Sequence, residues 1–338
     1  MIDIQSLDLT KKDFVTENEV RWCPGCGDYG ILSSIQKTFA SLGEKKENFA
    51  VISGIGCSSR FPYYMDTYGI HGIHGRAIPI ATGVKLANPA LSVWVITGDG
   101  DGISIGGNHF IHAMRRNVDV NVVLFNNRIY GLTKGQLSPT SELGKITKSS
   151  PFGSIDAPFN PATLALGAGA PFVARSLDRN MKHMSEMIRR AYQHFGATFI
   201  EVYQNCVIFN DGAFNNITDK ETKDDFSLML EHKKPMIFGK ESSKGIHLDG
   251  NIPRAVEIGK DYSIDDILVH DETDSVISLI LGEFTYRPDM PTPFGVIRAV
   301  DTKPYCKYML DQIAEVKQKQ GEGTLETLLS SGDTWEIK

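Results

Sequence analysis

Two aspartates set between glycines, Gly98-Asp99-Gly100-Asp101-Gly102, follow directly on the apolar run Ser92–Thr97. A pair of amides, Asn126-Asn127, closes the next such run, with 28 positions from Asp99 to Asn127. Glycines at a strand end let backbone N–H groups come close to a phosphate, and a helix opening near Ile103 aims its positive end at the same place. A carboxylate and an amide oxygen from neighbouring strand ends suit a hard octahedral cation such as Mg²⁺, which completes its shell with diphosphate oxygens. The plainer reading is a tight turn and an unrelated Asn-Asn turn. The succession of strand, glycine-aspartate run, helix, strand and Asn-Asn is far more specific than either part.

Cysteine supplies a second chemistry. Cys23-Pro-Gly-Cys26 is a redox pair, half of a zinc site or half of an iron–sulfur site. Cys57 and Cys206 lie far along the chain, a spread that disfavours a compact zinc ribbon. Cys306, in Lys303-Pro-Tyr-Cys-Lys307, reads as a structural or free thiol. The run His71-Gly-Ile-His74-Gly-Arg76 is a loop whose histidines either cap a turn or face a ligand.

These residues need a frame. Phe49–Ser53, Ser92–Thr97, Asn121–Phe125 and Thr198–Tyr203 are short, apolar and rich in β-branched residues, as buried parallel strands are. Helical patterns lie between them at Ile31–Leu42, Arg76–Leu86, Ile103–Arg116 and Met181–Phe195. Three of them stop at Gly43, Asn88-Pro89 and Gly196. The alternation predicts an α/β fold: an open, mostly parallel sheet with helices on both faces, over residues 1–215. Residues 216–338 read as an irregular C-terminal extension that wraps this domain or a partner. A polar stretch spans 217–265, a helix lies near 273–281, a surface helix over 305–320, and a tail follows.

Bulk properties remove several function classes. Among 338 residues, 41% are hydrophobic and 22% charged, which suits a soluble chain with a large core. A net charge of −6 gives no field for nucleic acid. No apolar run reaches membrane-spanning length, and the first residues lack the apolar stretch of a signal peptide, so the expected compartment is the cytoplasm. Five cysteines in a reducing compartment are thiols, catalytic groups or metal ligands rather than a disulfide framework.

Gly98–Gly102 with Asn126-Asn127 resembles the signature of thiamine-diphosphate enzymes. Trp22-Cys-Pro-Gly-Cys-Gly-Asp-Tyr-Gly-Ile-Leu32, Ser53-Gly-Ile-Gly-Cys-Ser58 and Asn126-Asn-Arg-Ile-Tyr-Gly-Leu-Thr-Lys-Gly-Gln136 narrow this. Together they resemble the β subunits of 2-oxoacid:ferredoxin oxidoreductases, over roughly residues 20–215. The resemblance implies that Asp99, Asn127 and the Ile129 carbonyl hold Mg²⁺ on thiamine diphosphate. It makes Cys23, Cys26, Cys57 and Cys206 the ligands of a [4Fe–4S] cluster. Ile55, Gly56, Cys57, Ser58, His74, Gly100, Asp101, Gly131 and Leu132 would then contact the cofactor, with His74, Arg60 and Lys134 facing the reaction. Arg60 is a partner for the distal carboxylate of 2-oxoglutarate.

The family oxidatively decarboxylates a 2-oxoacid, passes electrons singly through the cluster to ferredoxin, and gives the acyl group to coenzyme A. The activating glutamate of thiamine enzymes has no matching context here: Glu142 sits in a Ser/Lys-rich loop and Glu201 on an apolar strand. The resemblance assigns it to an α subunit carrying the pyrimidine-binding domain, in an (αβ)₂ assembly. The rivals are a pyruvate-, indolepyruvate- or other 2-oxoacid-specific member, a non-redox thiamine-dependent decarboxylase or carboligase, and a zinc-stabilised binding module.

Overall fold

The computed structural model describes residues 8–337. Its centre is an eight-stranded sheet. The strands are β1 (Phe49–Ser53), β2 (Tyr68–His71), β3 (Ser92–Gly98), β4 (Asn121–Asn126), β5 (Phe172–Leu177), β6 (Thr198–Tyr203), β7 (Ser227–Met229) and, much later, β11 (Thr292–Ala299). The order across the sheet is β2-β1-β3-β4-β6-β5-β11-β7. The first six run parallel, and β11 lies antiparallel to β5.

Alternation along the strands builds two cores. Val93 and Val95 of β3, with Val122 and Leu124 of β4, point to one face. Trp94 and Ile96, with Val123 and Phe125, point to the other. The first face is covered by α2 (Ala77–Ala87), α3 (Gly107–Arg115) and α4 (Pro161–Gly167). The second is covered by α1 (Asp28–Ser41) and α5 (Met181–Gln193), through Ile31, Ile35, Phe39, Met184 and Ile188. Each such fully buried apolar side chain contributes roughly 1.5–3 kcal/mol. The caps follow the sequence: Asn180 accepts the His183 N–H to start α5, and Gly43 takes a left-handed turn after α1.

Three elements depart from the sequence reading. The expected helix Ile103–Arg116 divides into a π-helical turn over Gly100–Ile105 and then α3. A side chain on Gly75 would collide with Ile105 and Gly106, so the two loops pack backbone to backbone, and the wide turn makes that fit. The polar stretch 217–265 is not irregular throughout: β8 (Ile237–Phe238), β9 (Lys244–Asp249) and β10 (Ile252–Glu257) form a small antiparallel sheet. The last third also does more than wrap, because β7 and β11 extend the main sheet. Arg175 of β5 ties β11 down by donating to the Pro293 carbonyl at 3.2 Å. The surface helix Tyr305–Gln320 forms as expected. Among the described residues, no helix is long and apolar enough to cross a membrane.

Register sets the working end. Ser53 pairs with Ile96, Gly98 with Phe125, and Asn126 with Tyr203. The strands therefore end side by side, and the crevice beyond their carboxyl ends is where such sheets bind ligands.

Candidate active site

The crevice is walled by Asp28, Ile55, Gly56, Cys57, Ser58 and His74 from one side. From the other come Gly98–Asp101, Phe125, Asn127 and Ile129–Thr133. The crevice brings together Ile55–Ser58, His74, Asp99–Asp101, Asn127, Ile129, Gly131 and Leu132 of the residues the sequence singled out, while Cys23, Cys26, Cys206, Arg60 and Lys134 do not line it.

Asp99 and Asp101 are both buried yet differently employed. Asp101 is saturated. Its Oδ1 accepts the Ile55 N–H at 3.0 Å, the Gly75 N–H at 2.7 Å and His74 Nδ1 at 2.6 Å, while Oδ2 accepts the Thr97 hydroxyl at 2.7 Å. It ties the Gly54–Gly56 and Ile73–Arg76 loops to the end of β3, so the expected cofactor contact is here chiefly a brace. Only glycine fits at 54, where a Cβ would strike the Asp101 carboxylate. His74 donates from Nδ1, so its orientation is fixed by that same carboxylate.

Asp99 Oδ2 accepts hydroxyls from Ser138 and Thr140, each at 2.6 Å. Burial pushes its carboxyl above the usual range, and these two donors pull it partly back. A cation beside it would favour the charged form. Asn127 donates to Gln204 Oε1 at 2.8 Å and accepts the Ile129 N–H at 3.2 Å, which fixes its oxygen beside the turn at Arg128. Asn126 turns inward and donates to Glu201 at 2.8 Å, and Glu201 in turn pairs with fully buried Arg175 at 2.8 Å. Gly100 lies under the Tyr130 ring so closely that any side chain would collide with it. Two hard oxygen donors and a backbone carbonyl at Ile129, beside a glycine cradle, fit Mg²⁺ on a diphosphate.

The thiols gather at the opposite wall. A Cβ on Gly131 would lie 3.6 Å from Cys206 Sγ and 3.7 Å from Cys57 Sγ, so both sulfurs flank one glycine of the cavity. Burial pushes the Cys57 thiol up to about 12, and its neighbours Asp28, Cys206 and Cys23 add to the rise. Cys26 is raised further by burial and by Asp28, Cys57 and Cys206. Cys23 is exposed. Asp28, absent from the sequence-derived site, is buried with no hydrogen-bond partner on either oxygen. Burial and nearby Asp178 push it up to about 7. Among the described residues, no three His, Cys, Asp or Glu side chains converge on a single-ion site. Cys57 and Cys206 beside Gly131, with Cys23 near enough to raise the Cys57 thiol and Cys26 near enough to be raised by Cys57 and Cys206, supply the soft donor type that iron–sulfur clusters take.

Arg60 lines an adjoining cavity of about 390 Å³ with Asn18, Glu19, Tyr63 and His71, and this cavity shares Ile55, Gly56 and Leu132 with the crevice. Lys134 does not line the crevice. It is exposed at a left-handed φ of 78°, and Thr133 occupies the wall instead. Cys306 is buried at the far end of the sheet beside Asp119 and Lys85. Ser138, Thr140 and Tyr130 also escaped sequence reading, and only the third lies inside a recognised run.

The family description "Thiamine pyrophosphate enzyme, C-terminal TPP binding domain" matches residues 54–202. The chain is 48% identical over 332 residues to the 2-oxoglutarate oxidoreductase subunit KorB of Mycobacterium tuberculosis, covering 96% of this chain and 88% of that one. It belongs to the β subunits of the 2-oxoacid:ferredoxin oxidoreductase family. The β subunit of 2-oxoacid:ferredoxin oxidoreductase 2 from Aeropyrum pernix is 47% identical over 199 residues, 59% of this chain and 64% of that subunit. Among solved structures, the 2-oxoglutarate:ferredoxin oxidoreductase of Magnetococcus marinus, with 2-oxoglutarate, coenzyme A and succinyl-CoA bound, superimposes with a TM-score of 0.77. That match has 32% identity over 98% of both chains. The 2-oxoacid:ferredoxin oxidoreductase fold thus extends through the last third, while the Aeropyrum alignment spans little more than half of this chain. As a β subunit, the chain implies an α partner.

Proposed function

We propose that this chain is the thiamine-diphosphate- and cluster-bearing half of a CoA-acylating 2-oxoacid:ferredoxin oxidoreductase that acts on 2-oxoglutarate. The observation that carries the reading is the position of Gly131. It lines the crevice that holds Asp99 and Asn127, and it also lies against Cys57 and Cys206. Electrons leaving a substrate bound in that crevice would have thiolate-bound iron as their nearest acceptor.

Asp99, Asn127 and the Ile129 carbonyl would hold Mg²⁺, and Gly98 and Gly100 admit the diphosphate. Cys23, Cys26, Cys57 and Cys206 would hold a [4Fe–4S] cluster, a soft Cys₄ set of the kind such clusters take. When bound, thiamine diphosphate supplies the carbanion chemistry of decarboxylation, and the cluster supplies one-electron transfer to ferredoxin. His74, oriented by Asp101, presents its second ring nitrogen as a hydrogen-bonding group at the mouth. No glutamate lines the crevice among the described residues: Glu201 is committed to Arg175 and Asn126, and Glu142 pairs with Arg128 at 2.7 Å. The activating carboxylate therefore comes from the α subunit, in an (αβ)₂ complex. Residues 1–215 carry the site and 216–338 extend its sheet.

The choice of 2-oxoglutarate rests on Arg60, which has no ion-pair partner among the described residues and faces the adjoining cavity. A desolvated guanidinium facing the methyl group of pyruvate is costly, whereas it grips a distal carboxylate with two hydrogen bonds. The names of the Mycobacterium and Magnetococcus proteins support the same substrate. The test is anaerobic, viologen-coupled assay of the α/β complex with CoA. Arg60→Ala is expected to cost about 2–4 kcal/mol in kcat/KM on 2-oxoglutarate and to spare 2-oxobutyrate. Equal losses on both substrates assign Arg60 to the cofactor or the fold.

A further inference from the structure

The turn between two of the proposed metal ligands is held from outside the crevice. Arg128 stands between Asn127 and Ile129 at a left-handed φ of 57°, a conformation that glycine adopts freely and arginine does not. Bonds along the backbone shape the turn: the Arg128 N–H donates to Asn126 Oδ1 at 3.2 Å, and its carbonyl accepts the Ser141 hydroxyl at 2.7 Å. The side chain lies outside the crevice and is only 13% exposed. Its guanidinium pairs with Glu142 at 2.7 Å. It also stands 4.7 Å from the Phe214 ring centre, 5.6 Å from that of Tyr203 and 5.8 Å from that of Tyr286. A cation at these distances is attracted to each ring.

The rings are themselves fixed. Tyr203 closes β6 and stacks on Phe214 with ring centres 4.5 Å apart and planes within 12°. Tyr286 donates its hydroxyl to the Phe159 carbonyl at 2.8 Å. An arginine buried for the fold alone would meet acceptors, yet Arg128 Nε is buried with no hydrogen-bond partner, and the rings take their place. Glu142 belongs to the loop that sets Ser138 and Thr140 on Asp99. One guanidinium therefore joins the Asn127–Ile129 turn to that loop and to chain beyond β6. A left-handed residue other than glycine persists only where its surroundings over-determine it. We propose that Arg128 is a positioning residue for the metal site: its caged guanidinium holds the turn in the form that presents Asn127 and Ile129 to the crevice. This rests on the reading of Asp99, Asn127 and the Ile129 carbonyl as the Mg²⁺ ligands. Phe214 and Tyr286, which do not line the crevice, then govern cofactor affinity through Arg128.

The test measures Mg²⁺ affinity of the anaerobically purified α/β complex, stripped with a chelator and titrated at fixed thiamine diphosphate. Arg128→Gly suits the left-handed backbone and removes the anchor. Its Mg²⁺ affinity is expected to fall by about tenfold or more, with iron per chain unchanged. Affinity like the parent's overturns the proposal, because the turn then forms without the anchor. Phe214→Leu keeps an apolar side chain but removes the ring. It is expected to weaken Mg²⁺ binding by roughly threefold in the parent and not at all in Arg128→Gly. The same loss in both backgrounds overturns the anchor role, since the ring would then act independently of Arg128. Should Arg128→Gly fail to fold, Phe214→Leu decides alone. Weakened Mg²⁺ binding supports the proposal, and unchanged binding, whatever the urea midpoint, assigns the rings to the fold and overturns it. Asp99→Ala separates this from the reading beneath it. If that variant binds Mg²⁺ like the parent, the metal lies elsewhere and both fail. If it loses Mg²⁺ while Arg128→Gly keeps it, the metal site stands and only the anchor fails.

Discussion

The two walls of the crevice are built on different terms. On the oxygen side, the buried polar groups are paired within the chain: Asp101 takes four donors, Asp99 takes two hydroxyls, and Asn126 and Glu201 complete one another. On the sulfur side, Asp28 has no partner, and burial raises both it and the thiols of Cys26 and Cys57. Strand register and hydrogen bonds preorganise the first wall. The second is a set of groups whose charged forms are disfavoured by burial and by one another. One wall is therefore satisfied within the fold, and the other is the wall on which the proposed cluster would act.

The largest effect is expected at the sulfur wall. Cys206→Ala removes one of the four proposed cluster ligands, and iron and sulfide per chain should fall to background together with 2-oxoacid-dependent dye reduction. Cys306→Ala, buried at the far end of the sheet, should leave both unchanged. A full iron content in Cys206→Ala would break the comparison, since the thiols would then not act as a set.

Next comes Asp99→Ala. The proposed hard anionic ligand is lost while Asp101 still braces the loops, so thiamine diphosphate should bind at least about 100-fold more weakly, roughly 2.7 kcal/mol. The iron should remain, because no thiol depends on Asp99. Loss of both groups together would show that the walls are one cooperative unit. Unchanged affinity for the cofactor would place the metal elsewhere.

The same contrast explains what could be read in advance. The glycine-aspartate run and Asn126-Asn127 are legible because local spacing carries their chemistry, the four cysteines are joined into a set only by the family resemblance, and the apolar strands that position them have a clear period. Strand β5 was missed because Arg175 interrupts its apolar run, and β2 because its four residues are all exposed. Ser138 and Thr140 carry no signal of their own. They matter only because the loop folds back 39 and 41 positions to meet Asp99. Asp28 was passed over because a carboxylate at the start of a helix is ordinary, and only its burial without a partner makes it notable. Lys134 misled in the other direction, since membership of a recognised run does not fix where a side chain in a left-handed turn will point.

The smallest expected effect lies in the support behind the oxygen wall, and it sharpens the comparison most. The Thr140 hydroxyl stands 2.6 Å from Asp99 Oδ2 and 2.9 Å from Asn126 Oδ1, fully buried. It has one proton, and the charged acceptor takes the stronger bond. Thr140→Val keeps the shape and deletes the donor. Asp99 retains Ser138, and Asn126 Oδ1 retains the Arg128 N–H at 3.2 Å, so neither acceptor is stranded. The stability cost should therefore stay at about 1–3 kcal/mol, read as a lower urea midpoint. Mg²⁺ affinity should weaken by about tenfold, the lower end for groups that orient a ligand without touching the metal. Iron content should not move at all. A preorganised wall predicts that affinity falls with the lost hydrogen bond even though Asp99 itself is intact. If Thr140→Val lowers stability but leaves Mg²⁺ affinity unchanged, the hydrogen bonds on this wall serve the fold alone, and the bound ion orders Asp99 just as the cluster would order its thiols.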